Sequence, residues 1–200
     1  MKSEQSPRPY RMVARADAAE ETAQRILEAA YRLFTDVAYD DVSLDTVAEN
    51  AEVTKRTILR RFGSKEQLFG EAMQVAVDDM VAHREAAPVN DPAGAVRNVV
   101  SQYERWGDNR LRLLAQEDRI PLVAEWVRAG RTYHWEWVER IFADLLIKLA
   151  EPELTARKAA LVVLTDVYTW KLLRRDLGLS QSETERALLD LILPMKGHPK

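Results

Sequence analysis

The sequence predicts an all-α chain of about nine helices, on three observations. Hydrophobic residues recur at helical spacing along most of its length, and strand-like alternation is absent. Glycine is scarce, with 7 in 200 residues. Residues that cap helices stand at the head of successive apolar runs: Asp17, Ser43, Thr54, Ser64, Asp91 and Ser182.

Taken in order, residues 1–16 are polar, with Pro7 and Pro9, and Lys2, Arg8, Arg11 and Arg15 make them basic. They are expected to be a flexible arm, either reaching a minor groove or fraying as a tail. Asp17 is the expected cap of the first long helix, whose stripe is Ile26, Leu27, Ala30, Leu33 and Phe34. Ser43 heads a short second helix with Leu44, Val47, Ala48 and Ala51 on one face.

Only Ala51, Glu52 and Val53 separate that helix from Thr54, which caps the next one at Lys55. The stretch VTKRTILRRFGSK holds Lys55, Arg56, Arg60, Arg61 and Lys65 and no acidic residue. Val53, Ile58 and Phe62 share its inward face. Lys55, Arg56, Thr57, Leu59, Arg60 and Arg61 are left for solvent or a ligand. A solvated charged face is one reading of such a run. Two short helices on a tight turn, the second one basic, favour another: a helix-turn-helix whose second helix enters the major groove.

Ser64 and Gln67 form a capping-box pattern for a fourth helix, and its first N–H groups with Lys65 make a candidate phosphate site. This helix continues through Leu68, Phe69, Ala72, Met73, Ala76 and Met80 and is the expected mechanical link. The segment AAPVNDP, residues 86–92, marks the domain boundary. Asp91 and Pro92 open a helix to about Trp106, ended by Gly107 and Asp108, and a short helix over 109–116 follows. A long run covers 121–149, Glu151-Pro152 breaks it, and a further helix covers 154–176 up to Gly178. Ser182 with Glu185 caps a last helix through Leu188, Leu189 and Ile192, before a loose tail MKGHPK. The expected organisation is an arm (1–16), a helix-turn-helix domain (17–63), a linking helix (64–86) and a larger helical domain (87–200).

All five tryptophans lie in the last of these. Tyr103, Trp106, Trp126, Tyr133, Trp137 and Tyr168 are candidates for the wall of a ligand cavity, with ordinary core packing as the alternative. Trp135 points away from Trp137 on its helix.

Composition narrows the function. At 46% hydrophobic the chain can build a sizeable core, and a net charge of -3 argues against general coating of nucleic acid. A basic helix in an acidic chain is instead a local footprint for an anionic partner. Without cysteine there is no disulfide framework and no thiolate metal site. No apolar run approaches the roughly 20 residues that span a bilayer, and the first 15 residues lack a signal-peptide core. A cytoplasmic location with no membrane partner is the expectation. His83, His134 and His198 are scattered, and G-x-S-x-G, phosphate-loop and H-E-x-x-H patterns are missing, so neither catalysis, metal nor cofactor is expected.

From Arg25 to Leu68 the chain resembles the N-terminal domain of TetR-family transcriptional regulators without a gap. The resemblance is carried by Arg25-Ile26-Leu27, Ala29-Ala30, Leu33-Phe34, Tyr39, Ser43, Val47-Ala48, Ala51, Val53-Thr54, Thr57, Phe62 and Ser64-Lys65-Glu66-Gln67-Leu68. The departures are Ala38, Glu52 and Arg56 where the family commonly has glycine, and Leu59 and Arg61 where it has a phosphate-contacting tyrosine and histidine. The resemblance implies a homodimeric repressor of a palindromic operator, released by a small-molecule effector in the C-terminal domain. The aromatic set suggests that the effector is hydrophobic or aromatic. Ser43, Thr54, Lys55, Arg56, Thr57, Leu59, Arg60, Arg61 and Lys65 would face DNA. The last two helices resemble the family's dimerisation pair, with Val163, Val167, Leu172, Leu188, Leu189 and Ile192 as interface candidates. The alternative is a helical interaction or sensor module that keeps the fold and has lost specific DNA binding, motivated by the missing glycines and by Leu59.

Overall fold

The computed structural model describes residues 8–196. Residues 1–7 of the expected arm and His198 lie outside them. Among the described residues ten α-helices run in the order α1 (Arg8–Asp36), α2 (Leu44–Asn50), α3 (Lys55–Phe62), α4 (Lys65–Glu85), α5 (Pro92–Leu114), α6 (Pro121–Ile141), α7 (Ala143–Leu146), α8 (Glu153–Leu164), α9 (Val167–Lys171) and α10 (Gln181–Ile192). No strand occurs among the described residues. The chain divides into two compact units, Met1–Val77 and Asp78–Lys200, and the division falls inside α4.

In the first unit α1 packs on α2 and α2 on α3. Its core is built from Ile26, Ala30, Phe34, Val47, Ile58, Phe62, Leu68 and Phe69, all 3% exposed or less. Phe34, Tyr39 and Phe69 pack ring to ring, with centroids 5.0–5.5 Å apart. Helix α1 begins at Arg8 rather than at Asp17. Pro9 stands in its first turn, where a missing N–H costs nothing, so proline did not mark a boundary here.

In the second unit α5 is central, packing against α6, α9 and α10, while α8 packs on α6 and α10. Val96, Val99, Val100, Tyr103, Trp137, Val138, Leu161, Trp170, Leu188 and Ile192 form one buried cluster. Four expected boundaries move. Helix α5 runs unbroken through Gly107, because the missing side chain lets Trp170 lie against the backbone; a Cβ there would stand 2.5 Å from Trp170 Cζ3. The run 121–149 breaks at Phe142, and Asn90 secures the junction through its side-chain oxygen, which accepts from Asp144 N–H at 3.0 Å. The run 154–176 breaks at Thr165, where the Asp166 carboxylate caps α9 by accepting from Tyr168 N–H at 2.8 Å. Helix α10 uses the earlier of two overlapping S-x-x-E patterns. Ser180 and Glu183 form the capping box in place of Ser182 and Glu185, because Gly178 at φ 71° has already turned the chain. Met195 of the expected loose tail is held, its carbonyl accepting from Arg157.

Candidate functional site

The turn between α2 and α3 is made by Glu52 at φ 54°, the left-handed region expected of a glycine. Val53 N–H donates to Ala48 O at 2.9 Å and closes that turn. Ser43 caps α2 through Thr46 N–H (3.0 Å), and Thr54 caps α3 through Thr57 N–H (3.2 Å). Ile58 and Phe62 are buried, which pins the inner face of α3. Lys55, Arg56, Leu59, Arg60 and Arg61 are exposed on the outer face, and Thr57 is half-buried with its hydroxyl on that of Thr54 (3.0 Å).

The basic residues of this face are not equivalent. Lys55 Nζ donates to Asp45 at 2.9 Å. Arg61 lies over the Phe62 ring and 4.0 Å from Glu71. Lys65 Nζ donates to Tyr39 O at 2.6 Å and rests 4.3 Å from the centre of that ring. The first turn of α4 is thereby tied to the turn after α1. Among the described residues Arg56 and Arg60 make no ion pair or hydrogen bond, so two fully available guanidinium groups flank the Leu59 side chain.

The aromatic candidates separate in the same way. Tyr103 and Trp137 are buried together against Arg84, whose guanidinium carbon is 5.3 Å and 4.5 Å from their ring centres. Tyr133 donates to Glu85 at 2.8 Å; burial, with that bond, pushes its phenol up to about 12. Trp106 packs edge-on against His83 at 5.7 Å. Four of the six thus meet the last turn of α4, through His83, Arg84 and Glu85. Trp126 is half-buried elsewhere, and Tyr168 is 54% exposed.

Sequence reasoning missed the polar centre of this group. Arg84 is 2% exposed and donates to Gln102 Oε1 (2.5 Å), His134 Nδ1 (3.2 Å) and Tyr103 Oη (2.8 Å). Tyr103 in turn donates to Thr165 O at 3.0 Å. Acceptance at Nδ1 fixes the proton of His134 on Nε2, which faces Val162 O and Thr165 Oγ1, each at 3.3 Å. Burial, reinforced by the Arg84 and Arg110 charges, lowers the His134 pKa to about 3. A polar His-Arg-Glu run at a helix end reads as solvated surface, so the sequence offered no signal for it.

Of the interface candidates, Val167, Leu188 and Ile192 are 2% exposed or less and belong to the chain's own core, with Leu189 packed partly against it. Val163 and Leu172 are 60% and 50% exposed, and Leu177, Leu191 and Leu193 join them at the surface. Among the described residues no cluster of histidine and carboxylates could hold a metal, and no helix is long and apolar enough to cross a membrane.

Residues 26–72 match the family described as bacterial regulatory proteins, tetR family. The HTH-type transcriptional regulator YhgD of Bacillus subtilis is 25% identical over 157 residues, 73% of this chain and 82% of that protein. Among solved structures, a transcriptional regulator from Rhodococcus sp. Rha1 aligns with a TM-score of 0.67 at 21% identity, covering 88% of this chain and 99% of that one. AibR, solved with isovaleryl coenzyme A and operator DNA, aligns with a TM-score of 0.60 at 18% identity, covering 86% and 98%.

Proposed function

We propose, from the chain's membership of the TetR/AcrR family of DNA-binding transcriptional regulators, that it is a repressor. In this reading it binds a palindromic operator as a homodimer and leaves it when a small molecule occupies the second unit. The observation that carries the DNA contact is the outer face of α3, with Arg56 and Arg60 unengaged around Leu59. Arginine paired to guanine is the commonest base-specific contact, and leucine can touch a thymine methyl. Arg56, Thr57, Leu59 and Arg60 are assigned to bases. Ser43, Thr54, Lys55, Arg61 and Lys65 are assigned to phosphates and to holding the motif. Lys55 would have to exchange Asp45 for a phosphate to serve there.

A dimer is what a palindrome requires, because two-fold symmetry sets two recognition helices one DNA turn apart, about 34–36 Å. The exposed Val163, Leu172, Leu177, Leu191 and Leu193 support an interface on the α8–α10 side. The aromatic residues around the end of α4 support an effector with an apolar body, and AibR offers the precedent of a similar fold holding an organic ligand with its operator. A small molecule shifts DNA binding only by its difference in affinity between two states of the chain, and α4, shared by both units, is the element through which that difference would act.

The test is selection of the purified protein on random duplex DNA at about physiological salt, followed by sequencing. A palindrome with half-sites one turn apart is the expected result. Enrichment of nothing, with binding that vanishes as salt rises, would reduce α3 to an electrostatic patch and leave an interaction module in place of a regulator.

A further inference from the structure

A fully buried arginine almost always has a carboxylate beside it, because an uncompensated charge in a dry core is costly. Arg84 has none. Among the described residues no acidic group hydrogen-bonds or ion-pairs with it, and its three partners, Gln102, His134 and Tyr103, are all neutral acceptors. A guanidinium carries five N–H donors, so one N–H on each terminal nitrogen is left over. The surroundings add positive charge: Arg110 lies close enough to act on both Arg84 and His134. His134 cannot supply an anion, and in its neutral form it accepts from Arg84. The flat faces of Tyr103 and Trp137 cover the guanidinium. The chain therefore holds a buried cation with one N–H left on each terminal nitrogen, set against aromatic rings and lacking a counter-ion.

We propose that Arg84 anchors the acidic head of the effector, a small organic carboxylate whose apolar body lies against Tyr103 and Trp137. This rests on the reading of the second unit as an effector domain and narrows its ligand to an anion. A carboxylate brings both a full negative charge and two acceptor oxygens to a guanidinium, which an amide, an alcohol or an amine cannot. Binding supplies the missing charge, so its free energy is drawn from a destabilised arginine. Arg84 sits in the last turn of α4, the helix whose first turn is fastened to Tyr39 through Lys65. A new ion pair at Arg84 therefore acts on the one element that both units share.

The experiment is isothermal titration of the full-length protein with phenylacetate and hexanoate, each against its neutral amide, and with phenyl phosphate, at millimolar concentrations. Operator release is followed in parallel by gel shift. The acids are expected to bind at least roughly tenfold tighter than the amides, the scale of hydrogen bonds to a charged group. Arg84→Met should erase that preference while its circular dichroism still reports a folded helical chain. Should that variant fail to fold, Arg84→Lys, which keeps the charge but not the fork, should narrow the preference. Equal binding of acids and amides by the wild type, or tighter binding of phenyl phosphate than of the acids, would overturn the proposal. If the amides bind equally well and release the operator, the effector reading survives and only the acidic anchor is lost. If no compound binds or releases the operator, both are lost.

Discussion

Glu52 holds a left-handed turn that glycine would hold more cheaply. Its φ of 54° keeps the geometry of a glycine turn, so the residue bears the strain of that region. Glu52→Gly should therefore raise stability by about 0.5–1 kcal/mol, less what the freer unfolded chain takes back. Thermal melts of the two proteins check it, and a lower melting temperature for the glycine variant would mean that Glu52 earns its place by another contact. His134 makes a second residue-scale prediction. Between its folded pKa of about 3 and the ordinary 6.5, the unfolded chain takes up a proton that the folded chain refuses. Stability is thus complete above about pH 6.5 and falls as the pH drops, by roughly 2 kcal/mol at pH 5 for this one group. Urea midpoints at pH 5 and pH 7 measure the loss, and His134→Gln should flatten most of it. An equally steep fall in that variant would assign the effect to other groups.

The elements of the first unit could be read closely from sequence, and those of the second less so. Caps, a short linker and an inward Ile58–Phe62 stripe are local signals, and α2 and α3 begin where those signals put them. In the second unit tertiary contacts overrode local ones. Gly107 looks like a helix stop and is instead a contact point for Trp170. Gly107→Ala should cost about 1–3 kcal/mol, as overpacking of a filled core does; an unchanged urea midpoint would show that Trp170 can move aside. Phe142 and Thr165 end helices without glycine or proline, which composition could not reveal. Within α3 the two classes of arginine should separate by salt dependence. Arg61→Ala should weaken binding to all duplexes and reduce the salt slope by about one, while Arg60→Ala should relax preference at one operator position. Identical behaviour of the two variants would refute the division of labour.

At the scale of the molecule, the surface of α8 and α10 keeps Val163 and Leu191 exposed, while the buried candidates Val167, Leu188 and Ile192 serve the chain's own core. Periodicity alone cannot separate two apolar faces on one helix when one serves the core and the other a partner. Leu191→Glu should leave the fold intact, convert a dimer to a monomer in light scattering, and cut operator affinity roughly hundredfold as two-site avidity is lost. A monomeric wild type would remove the basis for that expectation.

All five tryptophans belong to the unit that starts within α4, and the unit before it has none. Indole emission is therefore a private reporter of the second unit, while far-ultraviolet dichroism records helices of both. Because α4 runs through the division without a loop, a melt that dissolves either end of it removes support from the other. Emission and dichroism are expected to trace a single superimposable curve, and two separated midpoints would reveal a helix that breaks in the middle.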